Sequence, residues 1–187
     1  MLIETLILAL IISLISGGKI SRLGGLDLRE FWLVPLALLI QGGVYWASVR
    51  GIGLGPRWLS PVLDTGSYFL LLTFTLRNSS LPGMWWITLG VLLNTVVIAI
   101  NGGVMPVDPF FLPETIRNAL AAGQGTHGLM TTTTHLKFLA DRFYLAIPGL
   151  QKQVFSVGDC IIDIGCFILV FSTMRKTKTV EEMHIKA

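Results

Sequence analysis

The sequence predicts an all-α fold: a polytopic membrane bundle of about five transmembrane helices with a long helical extracytoplasmic loop. Of the 187 residues, 52% are hydrophobic and only 13% are charged, whereas a soluble domain is about a quarter charged. The mean hydropathy is +0.71. The apolar residues collect in five runs, at residues 2–16, 31–49, 61–76, 85–100 and 156–174. Runs of this kind favour helices that cross a bilayer, which takes about 20 residues.

The first run predicts the orientation of the bundle. Glu4 stands where a signal peptide would carry basic residues, and Lys19 and Arg22 follow the run. This order predicts an uncleaved helix with its N-terminus outside the cell. Five spans then place the C-terminus in the cytoplasm, so we expect a multi-pass protein of the cell membrane.

The chain is expected to form one membrane domain, residues 1–174, followed by a charged cytoplasmic tail, residues 175–187. The loop at residues 101–155 would cap the outer face. Pro113 and Glu114 suit the first turn of a short helix that ends near Ala122. A second short helix is predicted at residues 135–144 from apolar side chains at helical spacing.

Polar side chains collect on one face of the predicted bundle. Odd-numbered runs begin, and even-numbered runs end, on the face that carries the long loop. The polar residues at these ends are Glu4, Gln41, Tyr45, Asp64, Asn101, Asp159 and Asp163, and the loop adds Asp108, Glu114, His127, His135 and Asp141. The pattern predicts an acid-lined pocket on the outer face, with the loop as its roof.

Two carboxylates near the start of the last run mark a candidate site. Asp159 and Asp163 lie four residues apart, which places both on one face of a helix. Carboxylates at membrane depth are costly and are functional candidates by default. The expected ligand-binding residues are Asn101, Asp108, His135, Arg142, Asp159 and Asp163. For Asn101, a hydrogen bond between helices is the alternative.

Parts of the sequence resemble known families. The segments NGGVMPVD, HLKFLADRF and FSVGD, which begin at Asn101, His135 and Phe155, resemble an uncharacterised bacterial family of small integral-membrane proteins. That resemblance extends over most of the chain and implies no activity. Residues 139–170 are also similar to the C-terminal part of the lipoprotein signal peptidases. In these aspartyl membrane proteases the final helix opens with a phenylalanine-asparagine-valine-alanine-aspartate pattern, and Phe155-Ser-Val-Gly-Asp159 stands in that place.

The second resemblance implies a catalytic pair. It carries the two catalytic aspartates of the peptidases onto Asp141 and Asp159, with Arg142 at a position where that family has phenylalanine. Two carboxylates that share a site cannot both ionise, so one acts as the acid while the other activates water. Asp141 and Asp159 are therefore the expected catalytic residues if the protein is a hydrolase.

Three classes of function stay open at this point. A binding, sensing or membrane-complex assembly protein, whose outer pocket holds a small ligand, a lipid or a partner, is favoured over an enzyme. An aspartyl membrane hydrolase using Asp141 and Asp159 is the first alternative. A small transporter or ion pathway using Asp159 and Asp163 is the second.

The expected partners are membrane lipids, with other membrane proteins or a second copy of the chain as further candidates. No basic stripe interleaved with aromatic residues is present, which argues against nucleic acid. A metal site built from His127, His135, Asp141 and Asp159 is an alternative, but the spacings match no familiar metal motif. We therefore predict neither a metal nor a cofactor.

Overall fold

A computed structural model describes residues 1–146 and 153–175 of the chain. Its main helices are α1 (Leu2–Ile15), α2 (Leu33–Val49), α3 (Leu59–Arg77), α4 (Met84–Ile100), α5 (Glu114–Ala121) and α6 (Val157–Arg175). Short 3-10 helices at Ile20–Gly25 and Pro109–Phe111 lie between them. The five predicted apolar runs are thus confirmed as helices α1 to α4 and α6. The predicted tail, beyond Arg175, lies outside the described residues.

Within the described part of the chain, two helices are long and apolar enough to cross a membrane. They are α3 and α6, of 19 residues each. The apolar helices α1, α2 and α4 are shorter, at 14, 17 and 17 residues.

The five apolar helices pack side by side in the order α2, α3, α4, α6, α1. Glycines allow α4 and α6 to approach closely. A Cβ atom on Gly90 would lie 2.5 Å from the backbone oxygen of Gly158, and one on Gly165 would lie 2.7 Å from that of Gly83. Small residues at a helix crossing bring backbones into contact in this way.

The segment between α4 and α6 contains strands as well as the predicted helix α5. Strand β1 (Met105–Val107) pairs in parallel with β2 (His127–Leu129), and β3 (Phe143–Leu145) pairs antiparallel with β4 (Gln153–Phe155). This segment covers one end of the bundle. We call that end, with residues 101–146 and 153–155, the loop face, and the other end the opposite face.

The helix predicted at residues 135–144 is wrong. Residues 135–140 form bends and a turn, Asp141 forms a bridge beside Val107, and Phe143 begins β3. The backbone N–H of Asp141 donates to Pro106, and its carbonyl accepts from the N–H of Asp108. Strand partners distant in sequence therefore satisfy the backbone groups that a local helix would have used.

An asparagine side chain ties a connecting segment to a helix at each end of the bundle. On the loop face, Asn101 at the end of α4 accepts from the His135 N–H and donates to the His135 carbonyl. On the opposite face, Asn78 at the end of α3 makes the same pair of bonds with the backbone of Arg29. Each asparagine side chain therefore satisfies the backbone N–H and C=O of one distant residue and holds that segment against the end of a helix.

The apolar core lies where the end of α4 meets the loop segment. It consists of Val97, Ile98, Met105, Leu139 and Ala140. Outside this cluster, large apolar side chains such as Ile15, Leu39 and Phe69 face outward. Several polar side chains are instead buried between the helices, namely Ser13, Asp64, Ser67, Thr75, Thr88, Asn94, Thr95 and Asp163.

Candidate functional site

The start of α6 holds Asp159 in a closed hydrogen-bond network. One carboxylate oxygen accepts from the Ser156 N–H at 2.9 Å, while the Asp159 N–H donates to Ser156 Oγ at 3.0 Å. This reciprocal pair is a capping box, which satisfies the free donors of a helix N-terminus. The other carboxylate oxygen accepts from Asn94 Nδ2 at 2.8 Å, and Asn94 Oδ1 accepts from Ser156 Oγ. Both oxygens of Asp159 therefore have protein partners.

Asp163 contacts α1 rather than a cavity. Its carboxylate accepts a hydrogen bond of 2.8 Å from Thr5 Oγ1, and its side chain is buried between α1 and α6. Asp159 and Asp163 share the helix as predicted, but each is engaged with a different neighbouring helix, α4 for the first and α1 for the second.

The other predicted ligand-binding residues are spread over the loop face. Asp108 caps a 3-10 helix by accepting from the Phe110 N–H, and Asn101 binds the backbone of His135, as described above. Arg142 is exposed. Asp141 pairs with His127 and not with the neighbouring Arg142.

Asp141 and His127 form a partly buried acid–base pair. Nε2 of His127 lies 3.4 Å from Oδ2 of Asp141, and Nδ1 lies 3.3 Å from Oγ1 of Thr126. The Asp141 residue is only 5% exposed, whereas the His127 side chain is 46% exposed. Among the described residues, Asp141 Oδ1 is a buried side-chain oxygen without any hydrogen-bond partner. A buried, unsatisfied carboxylate oxygen is costly and rare.

The pKa values of both members of this pair are raised. Desolvation lowers the pKa of His127, but the hydrogen bond and the charge of Asp141, reinforced by Asp64 and Asp159, outweigh it and raise the pKa above its usual value. Burial raises the pKa of Asp141, against the opposing influence of His127, and the charge of Asp159 raises it further. The pair therefore holds a proton more readily than either group would in water.

Asp64 on α3 is a second buried carboxyl near His127. It is 4% exposed, and the described residues offer its carboxyl group no hydrogen bond. It faces a cavity of about 420 Å³ between the ends of α2 and α3 and the loop segment. Much of the cavity wall is glycine backbone, at residues 51, 53, 55, 103, 123 and 125.

Arg57 lines the same cavity as Asp64. The side chain is exposed, and no ion pair forms between it and an acidic residue in the part of the chain that the structure describes. One cavity thus presents a buried carboxyl group and a guanidinium group that do not pair with each other. Such a space can receive a ligand with charges of both signs.

The sequence predicts Asp64 and His127 among the polar residues of the loop face. It otherwise indicates His127 only in the alternative metal site, and it does not indicate Arg57. The rule that selected Asp163, a carboxylate inside an apolar helix, applies equally to Asp64. Arg57 lies in an irregular segment and His127 begins the short strand β2. Neither belongs to a motif, so no local signal distinguished them. Across the described residues, no group of three or more His, Cys, Asp or Glu side chains is arranged to hold a metal ion.

Comparison with known proteins identifies a family but no activity. Residues 25–171 match a family described as a family of unknown function, DUF5317. An uncharacterised protein of Thermotoga maritima is 27% identical over 169 residues, which cover 90% of this chain and 89% of that protein. No solved structure matches the chain.

Proposed function

The chain belongs to the DUF5317 family, whose function is unknown, and we propose that it is a multi-pass membrane protein that binds a small zwitterionic ligand. The ligand would lie in the loop-face cavity, with its ammonium group on Asp64 and its anionic group on Arg57. The observation that carries this proposal is the buried, unbonded carboxyl group of Asp64 in the cavity wall.

The distribution of polarity supports a membrane location for all five apolar helices. Large apolar side chains face outward on α1, α2, α3 and α4, while hydroxyl, amide and carboxyl groups are buried between the helices. A water-soluble bundle would have the reverse arrangement, because exposed apolar surface of this extent favours association with apolar surroundings. Polar groups between helices are the usual contacts in membrane bundles. We propose that the loop face is the extracytoplasmic one.

The ammonium group of the ligand is inferred from the negative charge of the Asp64 carboxylate. An isolated carboxylate removed from water must gain a proton or a cationic partner. The described residues supply no such contact at Asp64; the positive charge of His127 acts on it without a hydrogen bond. A primary ammonium donates up to three hydrogen bonds and fits a carboxylate acceptor.

The experiment uses two soluble zwitterions that differ only at nitrogen. Glycerophosphoethanolamine has N–H donors, and glycerophosphocholine replaces them with methyl groups. In detergent solution at pH 8, we expect the first to raise the unfolding temperature and bind by calorimetry, and the second to bind about tenfold more weakly, as expected for one lost charge-assisted hydrogen bond. Asp64→Asn and Arg57→Gln should each weaken binding by a similar factor, while Glu114→Gln on the exposed helix α5 should not. Equal binding by the two compounds, or full binding by Asp64→Asn, would overturn the proposal.

A hydrolase remains a second candidate because of one observation. Burial is the main cause that raises the pKa of Asp141, and the charge of Asp159 adds to it, so the two carboxyl groups lie near enough to interact, as a catalytic pair must. The hydrogen bonds argue against a hydrolase. No hydrogen bond joins Asp141 to Asp159 among the described residues, and the carboxylate of Asp159 already accepts from Asn94 and Ser156. Cleavage of a lipopeptide that is lost in Asp159→Asn at unchanged stability would establish this function instead.

A further inference from the structure

A second, apolar space adjoins the cavity on the outer surface of the bundle. It is a groove of about 560 Å³ along α3 and the end of α4. Val62, Gly66 and Phe69 line it from α3, and Ala99 lines it from α4. Val62 and Phe69 are both 55% exposed, so this apolar surface is not covered by another part of the described chain.

The groove and the polar cavity meet at one contact. Pro61 and Gly103 line both spaces. Gly103 has a φ of +83°, and a Cβ atom there would overlap Pro61. The backbone can therefore pass close to α3 only because this residue is glycine, and the two spaces lie on either side of that thin contact.

We propose that the ligand is a phospholipid whose headgroup ends in a primary ammonium. Its ammonium and phosphate would bind Asp64 and Arg57, and one acyl chain would lie in the groove past Val62 and Phe69. This inference rests on the proposed function and adds the acyl chain, hence the class of ligand.

Two features of the molecule fit a lipid better than a free zwitterion. The groove is open toward the side of the bundle on which apolar side chains are exposed, where the acyl chains of a bilayer would lie. Trp58 lines the groove near the start of α3 and is 62% exposed, as is common for tryptophan at the depth of lipid headgroups. The charged cavity would thus meet a headgroup and the groove would meet a chain.

The test compares a full lipid with its headgroup. The purified protein in detergent is titrated with dioleoyl phosphatidylethanolamine, dioleoyl phosphatidylcholine and dioleoyl phosphatidylglycerol, and retained lipid is counted by native mass spectrometry. We expect phosphatidylethanolamine to be retained about tenfold better than the other two, because only its ammonium donates to Asp64. Asp64→Asn should abolish this preference.

Filling the groove separates the acyl chain from the headgroup. A Cβ atom on Gly66 would meet open space, so Gly66→Leu can occupy the groove without disturbing helix packing. Gly42→Leu on α2 is the matched control, since its Cβ also meets open space and it lines neither site. We expect Gly66→Leu to reduce retention of phosphatidylethanolamine at least fivefold, to leave glycerophosphoethanolamine binding unchanged, and Gly42→Leu to alter neither.

The outcomes distinguish this inference from the proposed function. If glycerophosphoethanolamine binds through Asp64 but Gly66→Leu leaves lipid retention unchanged, the acyl chain does not lie in the groove; this inference then fails and the proposed function survives. If the three lipids are retained equally, the headgroup assignment is wrong. If neither the soluble zwitterion nor the lipid binds, both proposals fail.

Discussion

Two carboxyl groups of the loop face, Asp159 and Asp141, have opposite surroundings. Asp159 lies in a ring of mutual hydrogen bonds with Ser156 and Asn94, and both of its oxygens are satisfied. Asp141 has one oxygen near His127 and one buried oxygen with no partner. The first arrangement stabilises the start of a helix. The second carries an energetic cost that a purely structural residue would avoid.

The comparison shows that burial alone does not identify a functional acid. Asp163 is as buried as Asp64, yet Thr5 satisfies it. Among the buried acids of the described residues, Asp64 has no hydrogen-bond donor on its carboxyl group and Asp141 has none on Oδ1. A carboxyl group left in this state is available to a proton or to a ligand.

The largest expected effect is a loss of stability on disrupting the hydrogen-bond network of Asp159, Ser156 and Asn94. A Cβ atom on Gly158 would overlap the side-chain oxygen of Asn94. Gly158→Ala should therefore lower the free energy of unfolding by about 3 kcal/mol, the upper end of overpacking costs. Unfolding in mixed micelles of mild detergent and SDS measures this value. Gly66→Ala, which meets open space in the interior of α3, is the control and should raise the free energy of unfolding by about 0.5 to 1 kcal/mol through the higher helix propensity of alanine.

The next effect concerns Asp159 itself. Asp159→Ala removes the capping box and leaves Asn94 Nδ2 without its acceptor, so we expect a loss of about 2 kcal/mol of stability. The folded fraction should still bind glycerophosphoethanolamine with its original affinity. A variant of normal stability that no longer binds would contradict the structural role that we assign to Asp159.

A smaller effect on stability is expected at the unsatisfied carboxyl. Asp141→Asn removes a buried charge whose Oδ1 has no partner, so the free energy of unfolding at pH 7.5 should change by less than about 1 kcal/mol. The same micelle assay compares it directly with Asp159→Ala. If Asp141→Asn lowered the free energy of unfolding more than Asp159→Ala, the contrast between a satisfied Asp159 and an unsatisfied Asp141 would be wrong.

The smallest predicted effect is a pH dependence of ligand affinity. The pKa of His127 is raised above its ordinary value of about 6.5. Its positive charge is therefore present at lower pH and is lost as the pH rises through this raised pKa. The groups near it are Asp141 in contact and the carboxylates of Asp64 and Asp159. Protonated His127 repels the ammonium of the ligand, and the affinity for glycerophosphoethanolamine should therefore rise about threefold from pH 6 to pH 8.

His127→Gln supplies the control for that pH series. The variant keeps a polar side chain but cannot gain a charge, so its affinity should rise less between pH 6 and pH 8 than that of the unaltered protein. Calorimetry at each pH measures both proteins. An affinity that falls with pH in the unaltered protein would show that His127 does not compete with the ligand.

The sequence alone predicted the five apolar helices and α5 correctly because their signals are local. A long apolar run with few charges predicts a helix without reference to its neighbours, and Pro113 with Glu114 predicted α5 by the same kind of local rule. The alternation of helix direction also placed Glu4, Asp64 and the loop on one face. The helix ends and the loop contacts agree with that placement, as in the bond from Gln153 to Glu4.

Only the tertiary structure decided which acids are satisfied and what the segment after His135 becomes. Asp159 is 65 residues from Asn94 in sequence, and Asn101 is 34 residues from His135. Apolar spacing at residues 135–144 resembled a helix, but pairing of Asp141 with β1 and of Phe143 with Phe155 replaced the local bonds. The free energy of a hydrogen bond depends on both partners and on their access to water, so a carboxyl group's role follows from neighbours that its own segment does not specify.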